Sequence, residues 1–161
     1  MGIFNSAPAR VDPSLEDIFI GGCAEKHRDK GLSILGKKQR YVLAITSALR
    51  PGEEPVLLAI ASSAGKPHGD FLLVTNQRSA EISGSYVKEI EHGEVAEVEI
   101  IAGEFKISVF IHSQTSRLDY NPNDNRRFDH IIMHNVATPR QASQIREAIE
   151  RSLDELRVTR S

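Results

Sequence analysis

Several features that would assign a function directly are missing from this 161-residue sequence. It holds a single cysteine, Cys23, and no tryptophan, and aromatic residues make up only 6% of the chain. One cysteine cannot form an internal disulfide, which excludes a disulfide scaffold. Apolar runs such as residues 56–61 are too short to span a bilayer, which takes about 18 apolar residues or more. The core must therefore come from ordinary hydrophobic packing in one domain of common size.

The sequence also has no surplus of basic charge, with 20 Lys and Arg against 22 Asp and Glu and a net charge of −2. This balance argues against nucleic acid as a partner. Residues 1–50 carry eight basic and five acidic side chains, whereas residues 51–120 carry five and eleven. The hydrophobic period changes at the same boundary, from helical to strand-like. We therefore expect an N-terminal helical extension over residues 1–50 and a domain over residues 51–161.

The N-terminus shows no basic flank followed by an apolar run, so the expected location is the cytoplasm. Met1 and Gly2, followed by Ser6, fit the loose pattern for N-myristoylation. Acylation of Gly2 would convert a soluble chain into a weakly anchored one, and the sequence leaves it open.

Two helices are predicted in the N-terminal part. Asp12 and Pro13 provide a cap and a first-turn proline for the first helix. Its apolar face would hold Leu15, Ile18, Phe19 and Cys23. A second helix is predicted from Lys37 and is closed by Pro51 and Gly52.

The middle of the chain predicts antiparallel strands. Residues 56–61 and 71–75 read as a hairpin around a turn at residues 65–70, and residues 79–82 look short and polar for a strand. Apolar residues then alternate with polar ones over residues 96–100 and 105–112, so one face of each strand is wet. A last strand is predicted over residues 115–120.

The C-terminal helix has the clearest signal. Thr138 caps it, Pro139 takes the first helical position and Gln141 completes a capping box. A continuous apolar stripe follows, formed by Ile145, Ala148, Ile149, Leu153 and Leu156. We therefore expect the apolar face of this helix to pack on a sheet.

Two motifs give the chain a family likeness. Pro51-Gly52-Glu53 leads into the first predicted strand of the domain, and Leu72-Leu73-Val74-Thr75-Asn76-Gln77-Arg78 ends the second. With these motifs, residues 50–157 resemble the bacterial PH-like (pleckstrin-homology-like) and GRAM-like domains. The resemblance implies an α+β fold, in which a bent antiparallel sheet or partly open barrel is capped by the C-terminal helix. It says little about the ligand, because this fold hosts lipid-binding, peptide-binding and structural roles.

PH domains that bind phosphoinositides use a lysine and then an Arg-x-Arg pair around their first hairpin, because phosphate takes several cationic partners. This sequence offers Lys66 and Arg78, with His68 as an additional cation at low pH. Ala80 stands in place of the second arginine. Binding of an anionic lipid headgroup, with peripheral membrane contact, is therefore an alternative function.

Metal binding is a second alternative. Cys23 and His27 are four residues apart, as are His130 and His134, and four such ligands can hold zinc. A zinc-binding protein or a small zinc-dependent enzyme would follow from this. The sequence has no motif for nucleophilic catalysis or for nucleotide binding.

Protein recognition is the expectation that remains. A bent sheet leaves edge strands, and an edge strand can pair with a peptide or with another copy of the same domain. We therefore expect a non-catalytic module without a cofactor that binds a protein partner or forms a homo-oligomer.

Overall fold

The computed structural model describes residues 10–104, 106–114 and 131–160. The chain has an α+β fold with a five-stranded sheet, ordered β1-β2-β3-β4-β5, and a three-stranded sheet, ordered β6-β7-β8. The helices and strands are α1 (Pro13–Glu16), β1 (Phe19–Gly21), α2 (Arg28–Thr46), β2 (Pro55–Ser63), β3 (Lys66–Thr75), β4 (Arg78–Ser83), β5 (Tyr86–Glu91), β6 (Val95–Ala102), β7 (Ile107–Ser113), β8 (Ile131–Val136) and α3 (Pro139–Arg160).

The first N-terminal helix is much shorter than predicted. It is a single turn, α1, and the residues that were expected to continue it form β1, which pairs in parallel with β2. Gly21 and Gly22 have positive φ angles of 85° and 127°, which lie outside the α-helical range, so a helix cannot continue through them. The prediction of one helical face from Leu15 to Cys23 is therefore wrong, although both side chains are buried.

The second helix is longer than predicted. α2 begins at Arg28 rather than near Lys37, and it ends at Thr46, before Pro51. Gly31 lies inside the helix and is buried. A Cβ at this glycine would lie 3.3 Å from the Sγ of Cys23, so glycine here allows close packing of the helix on the β1 segment.

The hairpin of β2 and β3 is confirmed, with a tighter turn than predicted. Only Ala64 and Gly65 form the turn, and β3 starts at once at Lys66. The segment after Arg78 was expected to be weak, but it forms the full strand β4, paired on both sides. The strand predicted over residues 115–120 lies outside the described residues.

The large sheet packs on both faces. On one face Phe71, Leu73 and Ile82 pack with Leu35 of α2. On the other face Leu72 and Val74 pack with the small sheet and with α3, of which Ile145 and Ile149 are fully buried. The α+β class, with two open sheets and a C-terminal helix, is confirmed. No helix among the described residues combines the length and the apolar character needed to cross a membrane.

Candidate functional site

The structure does not bring the predicted headgroup ligands together. Lys66 begins β3 and Arg78 begins β4, so the two cations lie at opposite ends of β3. His68 is exposed, and its Nδ1 lies 3.7 Å from the Oδ2 of Asp70. A single phosphate would not meet both Lys66 and Arg78.

Arg78 is occupied by carboxylates. Its Nε lies 2.8 Å from the Oε2 of Glu53, and its Nη1 lies 3.1 Å from the Oε2 of Glu89. The Glu53 side chain is fully buried and that of Arg78 is 11% exposed. Burial alone would raise the pKa of Glu53, but hydrogen bonds from Thr75, the Arg50 amide and Arg78 outweigh it and hold that pKa below its ordinary value.

The two motifs of the family likeness contact each other directly. The side-chain amide of Asn76 donates to the carbonyl of Gly52 at 2.9 Å, and the amide of Glu54 donates to the Oδ1 of Asn76 at 2.8 Å. The side chain of Gln77 donates to the carbonyl of Pro51 at 3.2 Å. We call this contact of residues 51–54 with residues 75–78 the motif clasp. Its residues hold the start of β2 against the β3–β4 turn.

Three of the four predicted zinc ligands, Cys23, His27 and His134, lie in the described part of the chain. Cys23 packs in the core on the α2 side, where its thiol donates weakly to the carbonyl of His27 at 3.5 Å. Burial raises the pKa of this thiol. His134 lies on β8 and is directed between the two sheets, with its Nδ1 3.0 Å from the Oε2 of Glu81. His130 lies outside the described residues. Within the part of the chain that the structure describes, no three His, Cys, Asp or Glu side chains could share a metal ion.

A hydrogen-bond chain around His92 was not predicted. The Nε2 of His92 lies 2.8 Å from the Oγ of Ser79, and its Nδ1 lies 2.7 Å from the Oγ of Ser152. Ser152 donates its proton to the carbonyl of Asn76 at 2.6 Å. His92 therefore donates from Nδ1 and accepts from Ser79 at Nε2. No local sequence signal marks this set, because its members are far apart in the chain.

The hydrogen bond between Ser79 and His92 resembles the one between a catalytic serine nucleophile and its general base. A substrate cannot reach these groups, however. Ser79 and His92 are fully buried, and Ser152 is 3% exposed. Burial lowers the pKa of His92 to about 4, so the ring is neutral at neutral pH. The set ties α3 to the large sheet rather than presenting a reactive group.

Two adjoining clefts lie beside β6. This strand is the outermost of the small sheet, so one of its edges has no paired strand among the described residues. A cleft of about 360 Å³ separates it from α3, bordered by Val98 and Leu153. A second cleft of about 210 Å³ continues the first past Val95 and Leu156. We call the two clefts together the β6–α3 groove.

The groove combines an apolar floor with charged walls. Val95 is buried, and Val98 and Leu153 are partly buried against the core between the sheets. The walls carry Glu97 of β6 and Glu150 and Asp154 of α3. Of the described residues that border these clefts, Arg157 is the one cation, and it lies 3.7 Å from Asp154.

A wider cleft, of about 480 Å³, lies where β1 meets the start of α3. Its strand is only three residues long, too short to pair with an extended partner. Gln141 on its wall is already engaged, because its side chain completes the capping box with Thr138 and donates to the carbonyl of Cys23. This cleft is therefore the place where β1 and α3 meet, and its polar wall is already used by internal hydrogen bonds.

Comparisons with protein-family models, with curated proteins and with solved structures found no match for this chain.

Proposed function

We propose that this protein is a non-catalytic, PH-like binding module that takes up an extended segment of a partner protein along β6, in the β6–α3 groove. The observation that carries the proposal is an eight-residue edge strand with a cleft directly beside it, bordered by Val98 and Leu153. β6 is longer than the other outer strand of the small sheet, β8, and than both outer strands of the large sheet, β1 and β5.

Strand addition explains why an edge and a cleft belong together. The unpaired N–H and C=O groups of an edge strand bind a second backbone in any sequence, and pockets for alternate side chains add specificity. A peptide paired with β6 would place every second side chain toward Val98 and Leu153. Main-chain pairing along β6 would therefore give affinity, and the groove would select among the side chains of the partner.

A partner fits this edge better than a second copy of β6 does. Glu97 and Glu99 are exposed on the strand, and antiparallel pairing of two β6 strands would bring like charges close together. Charged side chains on an edge are a common protection against such self-pairing. The charge pattern thus favours a protein partner over homo-oligomeric assembly through this edge.

The remaining alternatives have less support. Arg78 is held by Glu53 and Glu89, which leaves Lys66 without the second phosphate ligand that headgroup binding needs. The family likeness remains compatible with the proposal, because its two motifs act in the motif clasp.

The test starts from a displayed library of random twelve-residue peptides, selected on the intact protein. A selected peptide should protect the amides of β6 from hydrogen exchange, and N-methylation of alternate residues in that peptide should abolish binding. Leu156→Asp should weaken binding about tenfold or more, because it places a charge on the apolar floor. Val158→Asp is the matched control on the same helix, since Val158 is 74% exposed and does not border the groove.

Protection of another surface, or equal binding of the N-methylated peptide, would refute strand addition at β6. Because N-methylation changes only the ligand, this arm stays decisive even where Leu156→Asp unfolds the protein.

A further inference from the structure

We infer that the outer surface of α2 is a second binding surface, which contacts an anionic lipid bilayer through a group of cations. This inference goes beyond the proposed function, because α2 and the β6–α3 groove lie on opposite faces of the large sheet. It also differs from the headgroup site predicted around Lys66 and Arg78, since a charged plane attracts cations that share no phosphate pocket.

The charge of α2 has one sign over most of its length. No Asp or Glu occurs between residues 30 and 52, and the helix carries four cations in this stretch, Lys30, Lys37, Lys38 and Arg40. Asp29, the one carboxylate of the helix, lies in its first turn. Across the described residues, none of the four cations forms an ion pair with a carboxylate. We call these four residues the α2 cations.

On the β3 side of the helix, the neighbouring carboxylate is engaged elsewhere. Lys38 is partly buried and lies over Gly69, with its Nζ at the place where a Cβ of that residue would be. Asp70, the next residue of β3, accepts a hydrogen bond from the hydroxyl of Ser83 at 2.7 Å and lies 3.7 Å from His68. The charge of Lys38 is therefore not used in a pair with this strand.

On the other flank, the acidic segment around α1 lies away from the exposed lysines. Gln39 accepts from the amide of Asp12 at 2.8 Å and donates to the carbonyl of Arg10 at 2.7 Å, so the chain enters α1 along this flank. At about 100° per helical residue, Lys30 and Lys37 lie about 180° and 160° around the axis from Gln39. Both lysines are exposed, and they face away from the flank on which α1 begins.

The arrangement suits a plane better than a compact ligand. Lys30, Lys37 and Arg40 lie within about 80° of the helix circumference and extend over about 15 Å of its length. Because the surface of a helix is convex, these side chains diverge, but each of them can approach a charged plane. The guanidinium of Arg40 lies 4.4 Å from the ring centroid of Tyr41, and tyrosine is enriched at the interface between membrane and water.

The charge distribution of the whole chain would orient it on such a plane. Residues 1–50 carry eight basic and five acidic side chains, whereas residues 51–120 carry five and eleven. An anionic surface attracts the first part and repels the second, so α2 would face the bilayer. The β6–α3 groove would then point away from the lipid, and the protein would hold a groove-bound segment near a membrane.

Cosedimentation of the intact protein with vesicles tests the inference. Phosphatidylcholine vesicles that contain about 30% phosphatidylserine should bind the protein, whereas pure phosphatidylcholine vesicles should not. Raising the salt from about 50 to about 500 mM should release it. Lys30→Gln combined with Lys37→Gln should weaken binding about tenfold or more, because each cation near an anionic surface contributes a factor of about five.

The matched control removes the same charge from the opposite side of the molecule. Lys106→Gln combined with Arg151→Gln changes two exposed cations next to β7 and on α3. It should alter binding by less than about twofold, since neither residue would approach the lipid. Lysine acetylation of the wild-type protein, read by mass spectrometry, locates the contact. Bound vesicles should protect Lys30 and Lys37 and leave Lys106 reactive.

Several outcomes would overturn the inference. Equal binding to neutral vesicles, equal losses in the two double variants, or protection of Lys106 instead of Lys30 would exclude a contact through α2. If polyglutamate or duplex DNA protects the α2 cations and vesicles do not, the partner is not a lipid surface. Protection at high protein concentration without vesicles would identify a second copy as the occupant. The peptide test of β6 reads a different surface, so the two proposals fail separately.

Discussion

Gly22 shows how one residue can fix the path of the chain. Its φ of 127° is in a range that side chains rarely adopt, and an added Cβ would overlap the carbonyl oxygen of Ile60. The amide of Ala137 donates to the carbonyl of Gly22 at 2.8 Å, so the same residue also contacts the segment before α3. A side chain at this position would disturb the large sheet and the α3 junction together.

Gly22→Ala should lower the free energy of unfolding by about 3 kcal/mol or more, because backbone strain adds to a clash with main-chain atoms. Urea unfolding followed by circular dichroism measures the change. Gly84→Ala is the control, since Gly84 has a positive φ of 60° but no neighbour within 4 Å of an added Cβ. It should cost about 1 kcal/mol. Equal costs at both sites would contradict the close approach to Ile60.

His92 gives the protein a stability that depends on pH. Burial lowers its pKa from 6.5 to about 4, and the weaker effect of the Glu91 and Glu53 carboxylates acts in the opposite direction. Between these two pKa values the unfolded chain binds a proton that the folded chain does not. The free energy of unfolding should therefore fall as the pH drops from about 6.5 to about 4, by about 3 kcal/mol in total.

Urea titrations at pH 7 and pH 4.5 test this prediction. The wild-type protein should lose about 2 kcal/mol more than His92→Asn between these two conditions, because asparagine does not titrate. Parallel losses in the two proteins would show that His92 is not the titrating group.

Among the elements, the motif clasp joins the start of β2 to the β3–β4 turn. Its centre is the buried ion pair of Glu53 and Arg78, supported by the hydroxyl of Thr75 at 2.7 Å from Glu53. Removing one member of such a pair leaves an uncompensated buried charge. The clasp is therefore a structural device, and substituting its arginine should be costly.

Arg78→Met should lower the free energy of unfolding by about 3 kcal/mol, because Glu53 would lose its charge partner inside the protein. Lys66→Met, at an exposed position, should change it by less than about 0.5 kcal/mol. Thermal unfolding of both variants measures the difference. Two small and equal effects would mean that Arg78 is available for a ligand after all.

The elements also show which parts of the fold could be read from the sequence. The capping box of α3 was predictable, because Thr138 and Gln141 lie three residues apart in the chain and bond reciprocally. β1 was not, because three residues carry no period and its pairing with β2 depends on distant contacts. β4 was underestimated because Ser79 looks polar, whereas in the structure it is buried against His92.

The candidate site divides in the same way. The alternation of Val98 and Ile100 with Glu97 and Glu99 was visible in the sequence, and so was the apolar stripe that contains Leu153. Their meeting in one groove was not visible, because it depends on how α3 crosses the sheets. The predicted pairing of Lys66 with Arg78 assumed a short β3, whereas the strand has ten residues and separates them.

At the scale of the whole molecule, the chain forms three layers. α2 covers one face of the large sheet, and the small sheet with α3 covers the other. The division into residues 1–50 and 51–161 stays a prediction. The N-terminal part supplies β1, which belongs to the large sheet, and α2, which covers one face of that sheet. The β6–α3 groove lies in the layer away from α2, so occupation of the groove leaves the N-terminal helix in place.

The central position of β3 has a consequence for how this sequence can change. Its residues from Phe71 to Thr75 are all buried, and they face the two cores alternately. Such a segment has no permissive side on which substitutions can accumulate unnoticed, unlike β6, where every second position meets water. Anyone who redesigns the surface of this protein should therefore diversify the exposed positions of β6 and leave residues 71–75 of β3 untouched.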